Sequence, residues 1–170
     1  MEITTVEQAK EQIKKWLVEN HHQVNEIKDD GSSFHFEVDY PVGSPKRQRV
    51  LQPKEYPGLI VVLNGVSIAN EHAEKIKTLT DEDKEKFYGA IRKDLLFLKN
   101  SYDINLDDEN IAKTVQFSFE FYIDSLTKTS LFEGLLLNHR TLIYIVTKFN
   151  DKFGIPVMPN MTKGETVGNA

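Results

Sequence analysis

The sequence contains no cysteine, and this absence removes several functions at once. Disulfide bridges, cysteine-ligated zinc, iron–sulfur clusters and cysteine nucleophiles are all excluded. Long apolar runs are missing as well, since pieces such as 59–63 fall far below the ~20 residues of a membrane-spanning helix. Residues 1–7 have neither a basic start nor an apolar core, so no signal peptide is predicted. We therefore expect a soluble cytoplasmic protein with no membrane partner.

Motifs that name a reaction or a cofactor are also lacking. The chain has no Gly-rich phosphate loop, no dinucleotide fingerprint and no Gly-x-Ser-x-Gly elbow. His72 follows Glu71, but no second histidine lies four residues on, so the zinc-protease pattern is absent. The acidic clusters 81–85 and 107–109 do not match a calcium-binding loop, and the first suits the start of a helix. The sequence thus predicts no catalytic residue, no cofactor and no metal ligand.

Length and composition predict one folded unit. The 170 residues suit a single domain, and 39% of them are hydrophobic, which is enough for a substantial core. The net charge of −5 favours solubility and argues against a nucleic-acid partner. We predict one domain over residues 1–156, followed by a polar, flexible tail over residues 157–170.

The clearest structural signal is the alternation over residues 115–124, where every odd position is apolar. Alternation with a period of two predicts a strand with one buried face and one wet face. A helical pattern follows at once, from about Leu126 to Phe153, and Gly154 ends it. A second alternating segment, residues 34–40, is predicted to form a hairpin with the strand before it.

The rest of the chain completes an α+β pattern. Thr5 begins a first helix with a capping box, and Thr80 caps a later helix that is predicted to reach Asn100. Residues 47–52 predict another strand, and the apolar run 59–63 predicts a central strand covered on both faces. We therefore predict an antiparallel β-sheet with helices packed on one face, in the order α-β-β-β(-β)-α-α-β-β-α.

One junction carries a family resemblance. Residues 121–135 read Phe-Tyr-Ile-Asp-Ser-Leu-Thr-Lys-Thr-Ser-Leu-Phe-Glu-Gly-Leu, and they resemble the strand-to-helix junction of uncharacterised archaeal domain families. With the element order, they resemble the type III secretion chaperone-like fold, whose relatives include YbjN-type proteins. The resemblance implies binding rather than catalysis, since secretion chaperones are small, acidic, cytoplasmic homodimers that hold an extended partner chain. No functional residue transfers by motif, because fold likeness alone does not establish function.

Two groups of residues are candidates for a binding surface. His35 and Glu37 share the predicted wet face of one strand, where a His–Glu pair suits metal binding or acid–base chemistry. The alternative is an ordinary solvated strand surface. Lys46, Arg47 and Arg49 form a basic cluster that suits a phosphate or an acidic partner. The alternative is an edge strand whose charges discourage pairing with other chains.

Two functions follow from these observations. The first is a non-enzymatic protein-interaction module, adaptor- or chaperone-like, that forms a homodimer and binds another protein. The second is a small enzyme or ligand-binding domain with a site near His35, Glu37 and the loop 46–49. The second requires these groups to converge in one concave pocket. The lack of catalytic motifs favours the first.

Overall fold

The computed structural model describes residues 3–156, which contain four α-helices, one short 3₁₀ helix (Ile123–Ser125) and six strands. The helices are α1 (Val6–Glu19), α2 (Asn70–Lys77), α3 (Asp81–Leu95) and α4 (Lys128–Phe153). The strands are β1 (Val24–Glu26), β2 (Ser32–Asp39), β3 (Arg47–Pro53), β4 (Leu59–Ser67), β5 (Ser101–Leu106) and β6 (Ala112–Tyr122). The predicted α+β class is confirmed, and the elements follow the predicted order. The predicted tail, residues 157–170, lies outside the described residues.

All six strands form one antiparallel sheet with the spatial order β1-β2-β3-β4-β6-β5. The longest pairing joins β4 to β6 and aligns residues 59–67 with residues 122–114. The alternation predicted for β6 is confirmed, because Val115, Phe117 and Phe121 are buried. Phe119 lies on the same face and is half-buried, whereas Gln116, Ser118 and Glu120 lie on the opposite face and are exposed or half-buried.

The helices cover only one face of the sheet. One core cluster joins α1 and the start of α4 to β2, β3 and β4, and a second joins α2, α3 and the rest of α4 to β6. The expectation that the run 59–63 is covered on both faces is wrong. Ile60 and Val62 are fully buried, whereas Val61 and Leu63 point to the other face and are half-buried. Side chains of the neighbouring strands shield these outward residues, which is why the run is apolar throughout.

Helix starts follow the sequence closely. Thr5 Oγ1 accepts the backbone N–H of Gln8 at 3.2 Å, and Gln8 Oε1 accepts the N–H of Thr5 at 3.2 Å, so the capping box is confirmed. Thr80 Oγ1 accepts the N–H of Asp83 at 3.2 Å. Such caps satisfy N–H groups that have no partner within the helix.

The end of α3 differs from the prediction, because the helix stops at Leu95 rather than near Asn100. Asn100 is buried and donates from Nδ2 to Thr141 Oγ1 at 2.9 Å and to Asn138 Oδ1 at 3.2 Å. Ser101 already pairs with Ser118 on β6. The chain must therefore leave the helix early to bring Asn100 down to α4, and this exposes residues 96–99.

Helix α4 approaches the sheet most closely at Gly134. A Cβ atom added there would lie 2.8 Å from Cδ1 of Phe119 and 3.2 Å from Cγ2 of Val62. Only glycine allows this approach, because side chains of β6 and β4 fill the space that a methyl group would need. The contact fixes the height of α4 above the sheet and leaves the outer side of α4 in solvent.

Candidate functional site

The face of the sheet opposite the helices, here called the uncovered face, carries most of the predicted site residues. The strand registers align its outward side chains in rows across β2, β3, β4 and β6. One row consists of Glu37, Arg49, Leu63 and Ser118, and the next consists of His35, Leu51, Val61 and Glu120. The centre of the face is therefore apolar, and charged side chains lie on both sides of it.

A cavity of about 240 Å³ lies on this face where β3 and β4 separate. The two strands are paired only from Arg49 with Leu63 to Leu51 with Val61, although β4 continues to Ser67 beside β6. Gly65 contributes no side chain, so the gap between the strands stays open. This arginine cavity is lined by Arg47, Arg49, Leu63, Asn64, Gly65, Val66, Ser67, Thr114 and Gln116.

The two arginines of the cavity are in different environments. Arg47 donates from Nη2 to Gln23 Oε1 at 2.9 Å, and its Nη1 is buried with no acceptor among the described residues. Arg49 is exposed and lies opposite Glu37, but within residues 3–156 it forms no ion pair shorter than 4.0 Å. The cavity thus presents positive charge that the protein does not neutralise by direct contact.

Asp39 is the buried carboxylate beside this region. Burial alone would raise its pKa, but the backbone N–H groups of Gly43 and Gln23 lower it more, with help from the nearby charges of His22 and Arg47. The N–H distances are 2.7 Å from Gly43 to Oδ2 and 2.6 Å from Gln23 to Oδ1. The pKa of Asp39 therefore lies below its ordinary value, and the group is a structural anion rather than an acid–base catalyst.

His35 occupies the uncovered face as its position in the strand predicts, but it is buried rather than solvated. Its Nδ1 lies 3.1 Å from Asp29 Oδ2, which also accepts a hydrogen bond from Ser32 Oγ at 2.8 Å. His35 Nε2 is buried and has no partner in the described part of the chain. A carboxylate that orients an imidazole is a common catalytic pairing, but here no lining residue of the arginine cavity belongs to it.

Lys46 lies apart from Arg47 and Arg49 in the structure, although it is next to them in the sequence. It lines an apolar groove of about 280 Å³ between the end of β4, the start of α2 and the end of α4. The five candidate residues thus fall in three places. Arg47 and Arg49 come together in the arginine cavity, and His35 and Glu37 lie on other parts of the uncovered face. Lys46 lies at the apolar groove, which adjoins the cavity and shares Val66 and Ser67 with it.

The sequence did not indicate the polar side chains that complete the cavity, which are Asn64, Ser67, Thr114 and Gln116. The apolar run 59–63 predicts a shorter strand, but β4 continues through Asn64 and Gly65 to Ser67. The alternation of β6 does place Gln116 on the wet face. Its distance from the arginines depends on the order of the strands, which no local pattern reveals.

A second exposed surface lies on the helical side. Leu96 and Phe97, after α3, are 71% and 90% exposed, and Leu136 and Ile143 on α4 are 37% and 52% exposed. These four residues are here called the apolar patch. A cavity of about 210 Å³ lies between the Phe97 loop and α4. Charged side chains at its rim are Lys99, Glu133 and Arg140, of which Lys99 and Glu133 form an ion pair at 2.7 Å.

A wider depression of about 880 Å³ lies between the start of α1 and the end of β6. It includes Thr5 and Thr127, the residues that cap α1 and α4. Because both caps are engaged with their own helices, the helix ends offer few free donors to a ligand. Across residues 3–156, no group of three or more potential metal-binding side chains comes together. No helix in the same range is long and apolar enough to cross a membrane.

Comparison with known proteins gives a family and a related structure. A sequence model described as an uncharacterized conserved protein family, DUF2299, matches residues 9–149. The chain is also similar to the crystal structure of an uncharacterized protein from Methanothermobacter thermautotrophicus, with 25% sequence identity and a TM-score of 0.80. That match covers 86% of this chain and 99% of the other. A search of curated proteins produced no match.

Proposed function

Since the chain belongs to the DUF2299 family of uncharacterized conserved proteins, we propose its function from the geometry of its surfaces. The proposed function is that of a non-enzymatic protein-interaction module in the cytoplasm. In this proposal it forms a homodimer and binds another protein, as an adaptor or chaperone does. The single observation that carries the proposal is the apolar patch. Phe97 is 90% exposed and lines one cavity with Leu136, and a second protein surface would remove the exposed apolar side chains of this patch from water.

A second copy of the chain is the occupant that suits the apolar patch. A two-fold interface brings the same surface together twice, so that surface must be complementary to itself. Leu136 and Ile143 lie two helical turns apart on α4 and form an apolar stripe. The rim carries both signs of charge, with Glu133 on one side and Arg140 on the other. When two copies pack with their α4 helices antiparallel, Glu133 of one copy lies against Arg140 of the other.

The uncovered face is the surface proposed for the other protein. Leu51, Val61 and Leu63 form its half-buried apolar centre, while Glu37 and Glu120 supply charge on either side. A surface with an apolar centre and charged margins suits the binding of an extended polypeptide across the sheet. The resemblance to the secretion chaperone-like fold belongs to this proposal, because those chaperones hold an extended partner and share the small size and acidic charge of this chain.

Light scattering tests the dimer. We expect the wild-type protein at micromolar concentration to have twice the chain mass of 19.6 kDa. Phe97→Ser should shift the population towards the monomer, because it removes the most exposed apolar side chain of the patch. The matched control is Tyr56→Ser, which removes another exposed aromatic ring, 60% exposed, from the loop after β3. A wild-type monomer, or a Phe97→Ser protein that remains dimeric, would contradict the proposal.

The ligand-binding alternative retains one supporting observation, the arginine cavity. Its catalytic form loses support, because His35 is buried against Asp29 and the cavity lining includes neither a histidine nor a carboxylate. General acid–base catalysis needs such a group within hydrogen-bond reach of the substrate. The cavity therefore favours binding over chemistry.

A further inference from the structure

The arginine cavity has a lining that is unusual on this acidic protein. Its polar side chains are two guanidinium groups, two hydroxyl groups and two carboxamides, and none of the nine lining residues is acidic. The whole chain carries a net charge of −5, so the cavity is a local exception to the overall sign. A lining of hydrogen-bond donors without carboxylates suits an anion.

The donors around the cavity are available. The side chains of Arg49, Ser67, Thr114 and Gln116 make no hydrogen bond to any other residue in the range 3–156. Nη1 of Arg47 is buried without an acceptor in the same range, which leaves a desolvated donor unsatisfied. A buried donor of this kind costs free energy until an acceptor is supplied.

Three carboxylates are cross-strand neighbours of lining residues, namely Asp39, Glu37 and Asp103, and none of them lines the cavity. Both oxygens of Asp39 already accept backbone N–H groups, from Gln23 and Gly43. Glu37 lies opposite Arg49 in the register but forms no ion pair with it within 4.0 Å in the described structure. The positive charge of Arg49 therefore remains free to meet an anion from outside.

We propose that the arginine cavity binds a phosphate group. Two arginines approach from β3, while Ser67 on β4 and Thr114 and Gln116 on β6 approach from the other side. A phosphate group presents several oxygens in different directions, whereas a carboxylate presents two in one plane. Guanidinium groups bind phosphate through paired hydrogen bonds, and hydroxyl and amide donors complete the remaining oxygens. Gly65 lines the cavity without a side chain, and a Cβ atom there would lie 3.1 Å from the backbone oxygen of Val115 on β6.

The phosphate group has two possible sources. It belongs either to a free small molecule or to a phosphorylated side chain on the partner protein of the uncovered face. Only the second source depends on the proposed function. Both sources present the same phosphate group to the cavity, so a separate titration with peptide probes distinguishes them.

The experiment is a nuclear magnetic resonance titration of the full chain with inorganic phosphate, with chloride at equal ionic strength as the reference. We expect the backbone amides of Arg49, Gly65, Ser67 and Gln116 to shift and saturate together. Arg49→Gln keeps a polar side chain of similar length but removes the charge, and it should weaken phosphate binding about ten-fold or more. Arg92→Gln, on α3, is the matched control and should leave the binding curve unchanged.

Two outcomes would overturn the inference. One is an unchanged phosphate affinity in Arg49→Gln. The other is a set of shifts spread over lysines and arginines of the whole surface without saturation at the cavity, which means non-specific screening. Because the cavity and the apolar patch lie on opposite sides of the sheet, Arg49→Gln should keep the wild-type mass in light scattering. Failure of phosphate binding and failure of the dimer are therefore distinguishable.

A second series identifies the source of the phosphate. It uses a short phosphoserine peptide and its unphosphorylated form. Tighter binding of the phosphopeptide than of inorganic phosphate, lost in the unphosphorylated peptide, indicates a phosphorylated partner chain. Equal affinity for phosphopeptide and inorganic phosphate indicates a small phosphate-bearing molecule.

Discussion

At the scale of single residues, buried polar groups hold the helices and loops to the sheet. Asn138 is fully buried and donates from Nδ2 to the carbonyl oxygen of Val62 at 2.8 Å. The same side chain accepts from Asn100, which joins the loop after α3 to the middle of α4. Each of these contacts satisfies a group that would otherwise be desolvated without a partner. They fix α4 over β4 and so determine which side of α4 remains exposed.

Asp39 gives a prediction on pH at this scale. Its pKa is lower in the folded protein than in the unfolded chain, so its charged form favours folding. That stabilisation is complete above the unfolded pKa, about 3.9, and is lost as the pH falls through the lower folded value. Asp39→Asn should therefore reduce the loss of thermal stability between about pH 5 and about pH 2, compared with the wild type.

Thermal melts across that pH range provide the measurement. Asp103→Asn is the control, because Asp103 lies exposed on β5 and forms no hydrogen bond with its side chain in the described structure. Its melting temperature should follow the wild-type dependence on pH. An Asp39→Asn curve that runs parallel to the wild type would show that this carboxylate contributes little to acid unfolding.

At the scale of residues, the sequence predicts which face a side chain lies on but not the partners that it contacts. The alternation of β2 predicts the face on which His35 lies, yet its contact with Asp29 comes from the turn before β2. The Asp-Asp-Gly-Ser sequence at 29–32 is typical of a chain reversal, but it does not specify the direction of the Asp29 side chain. Partners that lie six residues apart across a turn depend on loop geometry, which composition does not specify.

At the scale of elements, the contact between α4 and the sheet gives a matched pair of variants. Gly134→Ala places a methyl group against Phe119 and Val62, and we expect it to lower the free energy of unfolding by about 1–2 kcal/mol despite the better helix propensity of alanine. Gly89→Ala, within α3, meets no atom within 4 Å and should raise the free energy of unfolding by about 0.5–1 kcal/mol.

Urea unfolding of both variants measures these changes. Gly89 and Gly134 both lie inside helices, so the change in backbone freedom is the same and only the packing differs. If both substitutions stabilise the protein to the same extent, α4 does not approach the sheet as closely as described.

The elements themselves were the most predictable part of the molecule. The alternation in β6 and the apolar stripe of α4 come from local periodicity, and both elements form where that periodicity predicts. The end of α3 and the length of β4 were not predictable. Asn100 ends the helix through contacts with α4, and β6 extends β4 past Asn64-Gly65, so both outcomes depend on distant residues.

At the scale of the whole molecule, the sheet separates two surfaces. Helices cover one face and present the apolar patch, while the uncovered face presents the arginine cavity. The sequence predicted the basic cluster that supplies Arg47 and Arg49. It did not predict the side chains of β4 and β6 that face them, because strands far apart in the chain become neighbours only in the folded sheet. Whether a cluster of charges lines a cavity is therefore a tertiary property.

Hydrogen exchange at two protein concentrations tests the central claim, that the apolar patch is the surface through which two copies associate. The account predicts that amides of residues 96–99 exchange more slowly at high concentration than at low concentration. Amides of the edge strands β1 and β5 should exchange at the same rate in both, because no strand pairing between copies is involved. Unchanged exchange at residues 96–99, or new protection confined to β1 or β5, would contradict the account.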